Sequence, residues 1–194
     1  MRREFDICLA LIGIFFSVPV LALCAILIKL ESPGPVFFRP IRVGRNGKRF
    51  RLWKLRTMQE GAEKGQALTC REDPRVTRVG RYLRRWKFDE LPQFLNVLVG
   101  EMSLVGPRPE TPSIVEQYSP EQRQVLSVLP GITGPSQIMW RHEEDDYPSG
   151  VPVESYYRAV ILPQKLATDI EYVRQRSLWV DVRCLMQTII VLIR

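Results

Sequence analysis

The feature that most constrains this chain is the segment between Asp6 and Lys29, where 22 consecutive residues carry no charge. As a helix this segment is long enough to cross the hydrocarbon core of a bilayer, which is roughly 30 Å thick. The sequence KLESPGP that comes after it fits a signal-peptide cleavage site poorly. We therefore predict that residues 1–31 form a membrane segment, and that residues 32–194 form the domain it anchors.

The charges on both sides of the segment predict its path in the membrane. Arg2 and Arg3 precede it, and eight basic residues with no acid among them occupy positions 39–56. Basic residues are typical of the segments that flank a membrane helix on its cytoplasmic side. We therefore predict a re-entrant helix-break-helix that enters and leaves the membrane on the cytoplasmic face. The break is placed at Pro19, which removes a helical hydrogen bond, with the Ser17 hydroxyl bonding a freed carbonyl. A kinked helix that crosses the bilayer once is the alternative.

The overall charge narrows the class of partner. A net charge of +7 and a pI near 9.5 favour a partner that carries negative charge. Nucleic acid, an anionic membrane surface and a phosphorylated small molecule all satisfy this condition. The four cysteines are scattered without a C-x-x-C pair, so the sequence favours a reducing compartment over a zinc site or a disulfide framework.

The rest of the pattern predicts an α+β fold, a mainly helical domain with a small β-hairpin. The strands VFFRPIRV and RFRLWKLR flank a turn at Asn46-Gly47. We expect irregular structure where the chain is polar or rich in turn residues, in 59–77, 100–112 and 130–135. Apolar spacing predicts helices over 77–99 with an interruption at Pro92, and over 113–129, 154–176 and 178–194. We place Asp89 as the cap of the helix that follows the interruption.

The predicted C-terminal helix, residues 178–194, is amphipathic. Its apolar stripe is formed by Leu178, Val182, Leu185, Met186, Ile189 and Ile193. Such a stripe packs into the core in most proteins. Beside a membrane segment it can also lie in the bilayer interface, with Trp179 and Arg183 at headgroup depth. The sequence leaves both placements open, and interfacial amphipathic helices are part of the predicted fold.

An acid pair, Asp89 and Glu90, interrupts the most basic region of the chain. Adjacent acids are usually a solvated face or a helix cap, but here they follow Arg81, Arg84, Arg85 and Lys87. Arg108 lies between Pro107 and Pro109, which fix its backbone. Guanidinium groups near a carboxylate pair suit a phosphorylated substrate, although Arg108 could instead be a buried ion-pair partner.

Two acids beside a diphosphate would repel it, so a divalent cation is the expected mediator. Mg²⁺ prefers carboxylate oxygens together with substrate phosphates, and we predict that Asp89 and Glu90 hold it. With the charge neutralised, a carboxylate can attack phosphorus and form an acyl phosphate. Neighbouring side chains on a regular helix point about 100° apart, so the two acids need separate roles unless the interruption at Pro92 turns them together.

Long ordered blocks of the sequence resemble one known family. They are SPGPVFFRPIRVGRNGKRFRLWKLRTM, TRVGRYLRRWKFDELPQFLNVLVGEMSLVGPRPE, PGITGPSQ and, near the C-terminus, DIEYV with SLWVDV. From Phe5 onward the chain is similar to the bacterial sugar transferases, the monotopic phosphoglycosyl transferases, in their minimal catalytic form. The resemblance implies transfer of a sugar 1-phosphate from a UDP-sugar to a polyprenyl (undecaprenyl) phosphate, with release of UMP. It also implies a re-entrant anchor in the bacterial inner membrane, a cytoplasmic catalytic domain and a role in surface glycan synthesis.

The resemblance also implies roles for particular residues. Asp89 matches the nucleophile that holds the phosphosugar covalently, and Glu90 matches its partner, as a metal ligand or a base. The positions implicated in binding substrate phosphates are matched by Arg56, by Arg108 with Pro107, and by Arg141. Asp169 and Asp181 match family aspartates, but by sequence they could equally lie on a polar helix face.

A binding module is the competing class. A membrane-tethered basic protein could hold nucleic acid or anionic lipid through its arginine-rich hairpin, with Phe50 and Trp53 as stacking faces. That hypothesis leaves the acid pair unexplained, because acids weaken binding to a phosphate backbone, so we expect no nucleic-acid partner. His142 and the acids 143–146 are interpreted as solvated loop residues.

Overall fold

The computed structural model describes residues 2–62, 73–141, 143, 147–148 and 150–193, apart from the side chain of Ile193. Predictions for 63–72, for His142 and for the acids 144–146 fall outside the described residues. The α-helices are α1 (Arg2–Glu31), α2 (Arg78–Arg85), α3 (Phe94–Val99), α4 (Pro112–Val115), α5 (Pro135–Met139), α6 (Val153–Tyr156), α7 (Leu162–Gln175) and α8 (Leu178–Ile193). The fold is mostly helical with small sheets, as the sequence predicted.

The predicted hairpin is confirmed and consists of two short antiparallel pairs. The strands are β1 (Phe37–Phe38), β2 (Ile41–Val43), β3 (Arg49–Arg51) and β4 (Lys54–Leu55). β2 pairs with β3, and β1 pairs with β4. Asn46 and Gly47 both have positive φ, 58° and 76°, which a tight turn between twisted strands requires.

A third strand pair, which is parallel, contradicts the prediction of irregular structure in 100–112 and 130–135. β5 (Ser103–Val105) pairs with β6 (Gly131–Thr133). The glycines in these blocks serve close backbone packing, because a Cβ on Gly131 would lie 2.1 Å from the Gly106 nitrogen and one on Gly134 would lie 2.3 Å from the Gly106 oxygen. This packing fixes the start of the loop that carries Arg108.

α1 is the one helix among the described residues that is long and apolar enough to cross a membrane. It is helical throughout, with Pro19 inside it, so no break in secondary structure occurs there. The Ser17 hydroxyl bonds the Gly13 carbonyl at 2.5 Å, whereas Pro19 frees the carbonyl four residues before it, that of Phe15. Neither the re-entrant path nor the division at residue 31 is tested by these features, and both stay predictions.

Both ends of α1 are bonded to the same domain. At its start, Arg3 donates to the Val97 and Leu98 carbonyls at 2.5 and 2.8 Å, and Asp6 accepts from the Ser103 hydroxyl at 2.7 Å. At its end, Glu31 accepts from the first two backbone N–H groups of α2 at 2.7 and 2.9 Å. Between these ends α1 packs against α3, and many of its large apolar side chains remain exposed.

Two of the predicted helices are shorter than expected. The segment predicted as one helix over 113–129 contains α4 and a separate 3-10 helix, Gln122–Ser127.

Between α2 and α3 the chain forms another 3-10 helix, Phe88–Gln93. Asp89 lies inside that 3-10 helix, so the prediction that it caps the following helix is wrong. The helix predicted over 154–176 is present as α6, a π-helical turn at Tyr157–Ile161, and α7.

α8 is amphipathic as predicted and lies between the core and the surface. Cys184 and Asp181 are buried against the domain. Met186, Ile189 and Trp179 are exposed, the last at 76%. An exposed apolar face suits a bilayer interface, and the interfacial placement remains a prediction.

Candidate active site

The acid pair lies on the 3-10 helix between α2 and α3. Lys87 precedes it with a left-handed backbone, φ 56° and ψ 20°, and this reverses the chain at the end of α2. The tighter 3-10 winding then buries both Asp89 and Glu90, at 1% and 7% exposure. Both carboxylates face one ammonium group, that of Lys54 on β4. The left-handed Lys87 and the 3-10 helix that follows it therefore bring the two acids to a shared cation.

Asp89 is a buried carboxylate whose polar atoms lack hydrogen bonds. Lys54 Nζ lies 2.8 Å from Asp89 Oδ2, an ion-pair distance without hydrogen-bond geometry. No described residue donates a hydrogen bond to either carboxylate oxygen. Native proteins satisfy nearly all buried polar groups, and an exception calls for an explanation such as a bound ion or a reacting ligand. Asp89 has the free lone pairs that a nucleophile requires.

Glu90 is held differently, by several cations. Arg108 Nη2 lies 3.6 Å from Glu90 Oε1, and Lys54 Nζ lies 3.9 Å from the same atom. Burial by itself would raise the pKa of Glu90, but Arg108, Lys87 and Lys54 more than offset it and lower the pKa to about 2. Glu90 is therefore ionised across the physiological range.

Lys54 and Asn96 are the site residues to which the sequence interpretation gave no role. Asn96 is fully buried and ties α3 to the hairpin, since it donates to the Arg51 carbonyl and accepts from the Trp53 backbone N–H, both at 2.9 Å. These bonds fix the strand position from which Lys54 reaches Asp89. A buried asparagine within the apolar sequence FLNVLV is a signal that could have been read from the sequence.

The predicted arginines occupy three different settings. Arg108 reaches Glu90 and also lies 3.4 Å from Gln137 Oε1. Arg56 is buried and donates to the carbonyls of Ser32 and Pro33, where α1 ends. Arg141 has a buried Nη1 without a hydrogen-bond partner among the described residues. Of these three arginines, Arg108 is the one that contacts the acid pair, and the phosphate-binding roles of all three remain predictions.

Pro107 and the two family aspartates complete the set of predicted residues. The Pro107 carbonyl accepts from the Gly131 N–H at 2.9 Å, which joins the Arg108 loop to β6. Asp169 is buried, and burial raises its pKa to about 6. Asp181 accepts from the Tyr172 hydroxyl at 2.6 Å and lies 3.6 Å from Arg2 Nε. The bonds of Asp181 are structural.

The acid pair fits a magnesium ion that the substrate helps to bind. No group of three or more His, Cys, Asp or Glu side chains that could hold a metal occurs among the described residues. Asp89 nevertheless offers two buried oxygens without hydrogen bonds, and Mg²⁺ is commonly held by one or two carboxylates together with substrate phosphates. The donor set therefore suits Mg²⁺ bound with a diphosphate.

A buried acid pair next to a lysine and an arginine has the charges that suit a phosphorylated ligand. The chain belongs to the bacterial sugar transferase family, whose sequence profile matches residues 1–194.

Several relatives of this chain are named for the reaction they catalyse or the product they help to make. The UDP-glucose:undecaprenyl-phosphate glucose-1-phosphate transferase of Escherichia coli (strain K12) is 40% identical over 199 residues, which cover 97% of this chain and 39% of that protein. The UDP-N-acetylgalactosamine-undecaprenyl-phosphate N-acetylgalactosaminephosphotransferase of Aeromonas hydrophila is 39% identical over 195 residues, covering 97% and 43%. The exopolysaccharide production protein PSS of Rhizobium leguminosarum bv. phaseoli is 37% identical over 198 residues, covering 98% and 94%. The chain thus spans about two fifths of the first two relatives and nearly all of the third.

Proposed function

We propose that this chain transfers a sugar 1-phosphate from a UDP-sugar to a polyprenyl (undecaprenyl) phosphate and releases UMP, as the first membrane step of surface glycan synthesis. The observation that carries the proposal is the buried Asp89 carboxylate, which accepts no hydrogen bond from any described residue and faces Lys54. The activities for which the relatives from Escherichia coli and Aeromonas hydrophila are named support the same substrate classes.

In the first step, an Asp89 oxygen attacks the β-phosphorus of the UDP-sugar. The bond between that phosphorus and the oxygen bridging the two phosphates breaks, and its electron pair leaves with UMP. The sugar phosphate is then bonded to Asp89 as an acyl phosphate. Lys54 lies where it can balance the negative charge of Asp89 and the approaching phosphate.

In the second step, a phosphate oxygen of the polyprenyl phosphate attacks the same phosphorus. The bond to Asp89 breaks, and the carboxylate is restored with its charge. Arg108 pairs with Glu90 at 3.6 Å, a loose contact that a phosphate oxygen can replace. Glu90 keeps a negative charge at neutral pH, because its pKa is lowered to about 2, so we assign it to cation binding and not to proton transfer.

Mg²⁺ is proposed as the cofactor, held by Asp89 and Glu90 together with the diphosphate. When bound, it would neutralise charge on the transferring phosphoryl group. Lys54 and Arg108 supply the rest of the positive charge.

We further propose that α1 is re-entrant and that the catalytic domain faces the cytoplasm at the bacterial inner membrane. Support comes from the hydrogen bonds at both ends of α1, because Arg3 and Glu31 both bond to the same domain. A helix that crosses the bilayer once would carry Arg3 to the opposite face. The 3-10 helix with Asp89 packs against α1, which keeps the site close to a lipid substrate.

Labelling of a single cysteine tests this topology. Glu4 is exposed, so Glu4→Cys in an otherwise cysteine-free variant reports where the N-terminus lies. A membrane-impermeant maleimide should leave it unlabelled in intact spheroplasts and label it after lysis. Labelling in intact spheroplasts would contradict the re-entrant path.

The intact mass of the protein tests the reaction. Wild-type protein is incubated with Mg²⁺ and a panel of UDP-sugars that includes UDP-glucose and UDP-N-acetylgalactosamine, without lipid acceptor. We expect a mass gain of one phosphosugar for the correct donor, erased when polyprenyl phosphate is added. Asp89→Asn should gain no mass. Turnover without any adduct would contradict the covalent intermediate, and nucleic-acid binding without turnover would favour the binding module.

The structure weakens the hypothesis that the chain is a module for binding nucleic acid. Phe50 is buried, and Trp53 is covered by the Arg39 guanidinium at 3.8 Å and by the edge of Phe37. Neither side chain is offered as a free stacking face.

A further inference from the structure

A buried tyrosine and a buried glutamate lie behind Arg108, and the reaction described above does not use them. The Tyr157 hydroxyl donates to Glu110 Oε1 at 2.5 Å. Tyr157 is 1% exposed and Glu110 is 9% exposed. Burial and the neighbouring Glu110 raise the pKa of Tyr157, so its hydroxyl stays protonated and acts as a donor.

Glu110 is linked to two arginines from different parts of the chain. Arg108 and Glu110 lie in one loop and line the same small cavity as Val43, the residue after Arg42. The pKa of Arg42 is lowered by burial, and Glu110 is the strongest influence that opposes this. The backbone provides a second link, since the Val43 N–H donates to the Glu110 carbonyl at 3.0 Å and so holds β2, which carries Arg42, against the Arg108 loop.

Arg42 has spare hydrogen-bonding capacity. Its Nε is buried and has no hydrogen-bond partner among the described residues. Arg108 is more open, with 37% of its side chain exposed, and its contact with Glu90 is loose at 3.6 Å. Arg42 Nε and the loosely paired Arg108 therefore offer donors that phosphate oxygens can accept.

The local backbone explains how Tyr157 reaches Glu110. Tyr157 opens the π-helical turn Tyr157–Ile161 between α6 and α7. A π turn is rare, and it frequently occurs at functional sites because it shifts the register of the side chains that follow or precede it. Here it lies at the point where the Tyr157 hydroxyl meets the loop that follows β5.

We propose that Glu110, held by the Tyr157 hydroxyl, is a positioning residue that aims Arg108 and Arg42 at the diphosphate of the nucleotide sugar. Arg42 is thereby assigned as a second diphosphate-binding arginine. The proposal rests on the proposed function and refines how the donor is held. Without the Tyr157 hydrogen bond, Glu110 would rotate more freely and the two guanidinium groups would lose their common anchor.

The chain offers a matched control. The Tyr172 hydroxyl is also buried and also donates to a carboxylate, that of Asp181 at 2.6 Å, at the junction of α7 and α8. Tyr157→Phe and Tyr172→Phe thus each delete a hydroxyl that donates to a buried carboxylate, and Tyr172→Phe also removes a 3.2 Å contact with the Val105 carbonyl. A purely structural role predicts that both variants lose thermal stability and that neither changes nucleotide binding.

UDP serves as the probe, because it is common to every candidate donor. Its dissociation constant, and that of UMP, are measured by titration calorimetry with Mg²⁺ for wild type, both phenylalanine variants and Glu110→Gln. We expect Tyr157→Phe and Glu110→Gln to weaken UDP binding about 10-fold, with a smaller effect on UMP. Tyr172→Phe should stay within about 2-fold of wild type. Arg42→Met should weaken UDP binding as Tyr157→Phe does.

The outcomes separate this proposal from the reaction itself. Suppose that wild-type protein forms the phosphosugar adduct and that Tyr157→Phe binds UDP as tightly as Tyr172→Phe does. This result overturns the positioning role and leaves the proposed reaction standing. Normal UDP binding in wild type without any adduct overturns the reaction, while the comparison of variants still tests the positioning role. Absence of UDP binding in folded wild-type protein overturns both.

Discussion

Two buried aspartates, Asp89 and Asp181, show how this protein separates function from support. Asp181 accepts from the Tyr172 hydroxyl and lies near Arg2, so it joins α7, α8 and the start of α1. Asp89 is even more buried but accepts no hydrogen bond from any described residue, and its nearest charge is Lys54. Satisfied buried groups stabilise a fold, whereas an unsatisfied one is retained where a ligand or reaction completes its bonding.

The largest expected effect comes from Asp89→Asn. Loss of the nucleophile should lower the transfer rate by about 10³-fold or more. The free energy of unfolding should stay within about 1 kcal/mol of wild type, because Lys54 keeps Glu90 as a partner when Asp89 loses its charge and no side-chain hydrogen bond is broken. Transfer assays and chemical denaturation measure the two quantities. A marked loss of stability would show that Asp89 supports the fold as Asp181 does.

The second effect concerns the pH dependence that Glu90 imposes on stability. Its pKa is lowered from 4.5 to about 2 in the folded protein, so its contribution is fully present above pH 4.5 and is lost as the pH falls toward 2. That contribution is about 3 kcal/mol. Glu90→Gln should therefore flatten the acid limb of the stability curve between pH 5 and pH 2.

Unfolding free energies at several pH values check this. Glu116→Gln, at a glutamate whose side chain is 70% exposed, is the control and should leave the acid limb unchanged. If Glu90→Gln followed the wild-type curve, the pairing of Glu90 with Arg108 and Lys54 would not stabilise the folded state.

The sequence predicts local features of this fold better than it predicts contacts between distant segments. The apolar run gives α1, and Asn46-Gly47 gives the hairpin turn, because each depends on neighbouring residues. The parallel pairing of β5 with β6 was not predicted, because it joins two short strands in glycine- and proline-rich blocks far apart in the chain. The periodicity of α7 and α8 was readable for the same local reason.

The same limit applies to the candidate site, where locally distinctive residues were predicted and contacts between distant segments were not. The acid pair and Arg108 stand out by composition, but the meeting of Lys54 with Asp89 depends on Asn96 joining α3 to the hairpin. The cap assigned to Asp89 was wrong because the left-handed Lys87 starts the 3-10 helix earlier than the apolar spacing indicates. Tertiary contacts override local capping preferences at this point.

A smaller effect is expected for Lys54→Met, which removes the cation that Asp89 and Glu90 share. The rate of adduct formation should fall about 10- to 100-fold, since two carboxylates would then repel the diphosphate without an internal counter-charge. Lys54→Arg should recover part of the rate. Lys48→Met, at an exposed lysine of the same hairpin, is the control. A wild-type rate in Lys54→Met would mean that the cation near Asp89 serves the resting structure alone.

The smallest effect on activity should come from Asp181→Ala, the counterpart of the first substitution. It removes the acceptor of the Tyr172 hydroxyl and the charge near Arg2, so we expect a loss of about 2 kcal/mol in unfolding free energy and a fall of about 4–8 °C in Tm. The transfer rate per folded molecule should stay within about 2-fold of wild type, because the contacts of Asp181 are with Tyr172 and Arg2 and not with Asp89, Glu90 or Lys54. Thermal unfolding and transfer assays on the same preparation measure both quantities. A rate loss comparable to that of Asp89→Asn in folded protein would place Asp181 in the reaction, and the contrast between satisfied and unsatisfied aspartates would then not separate support from function.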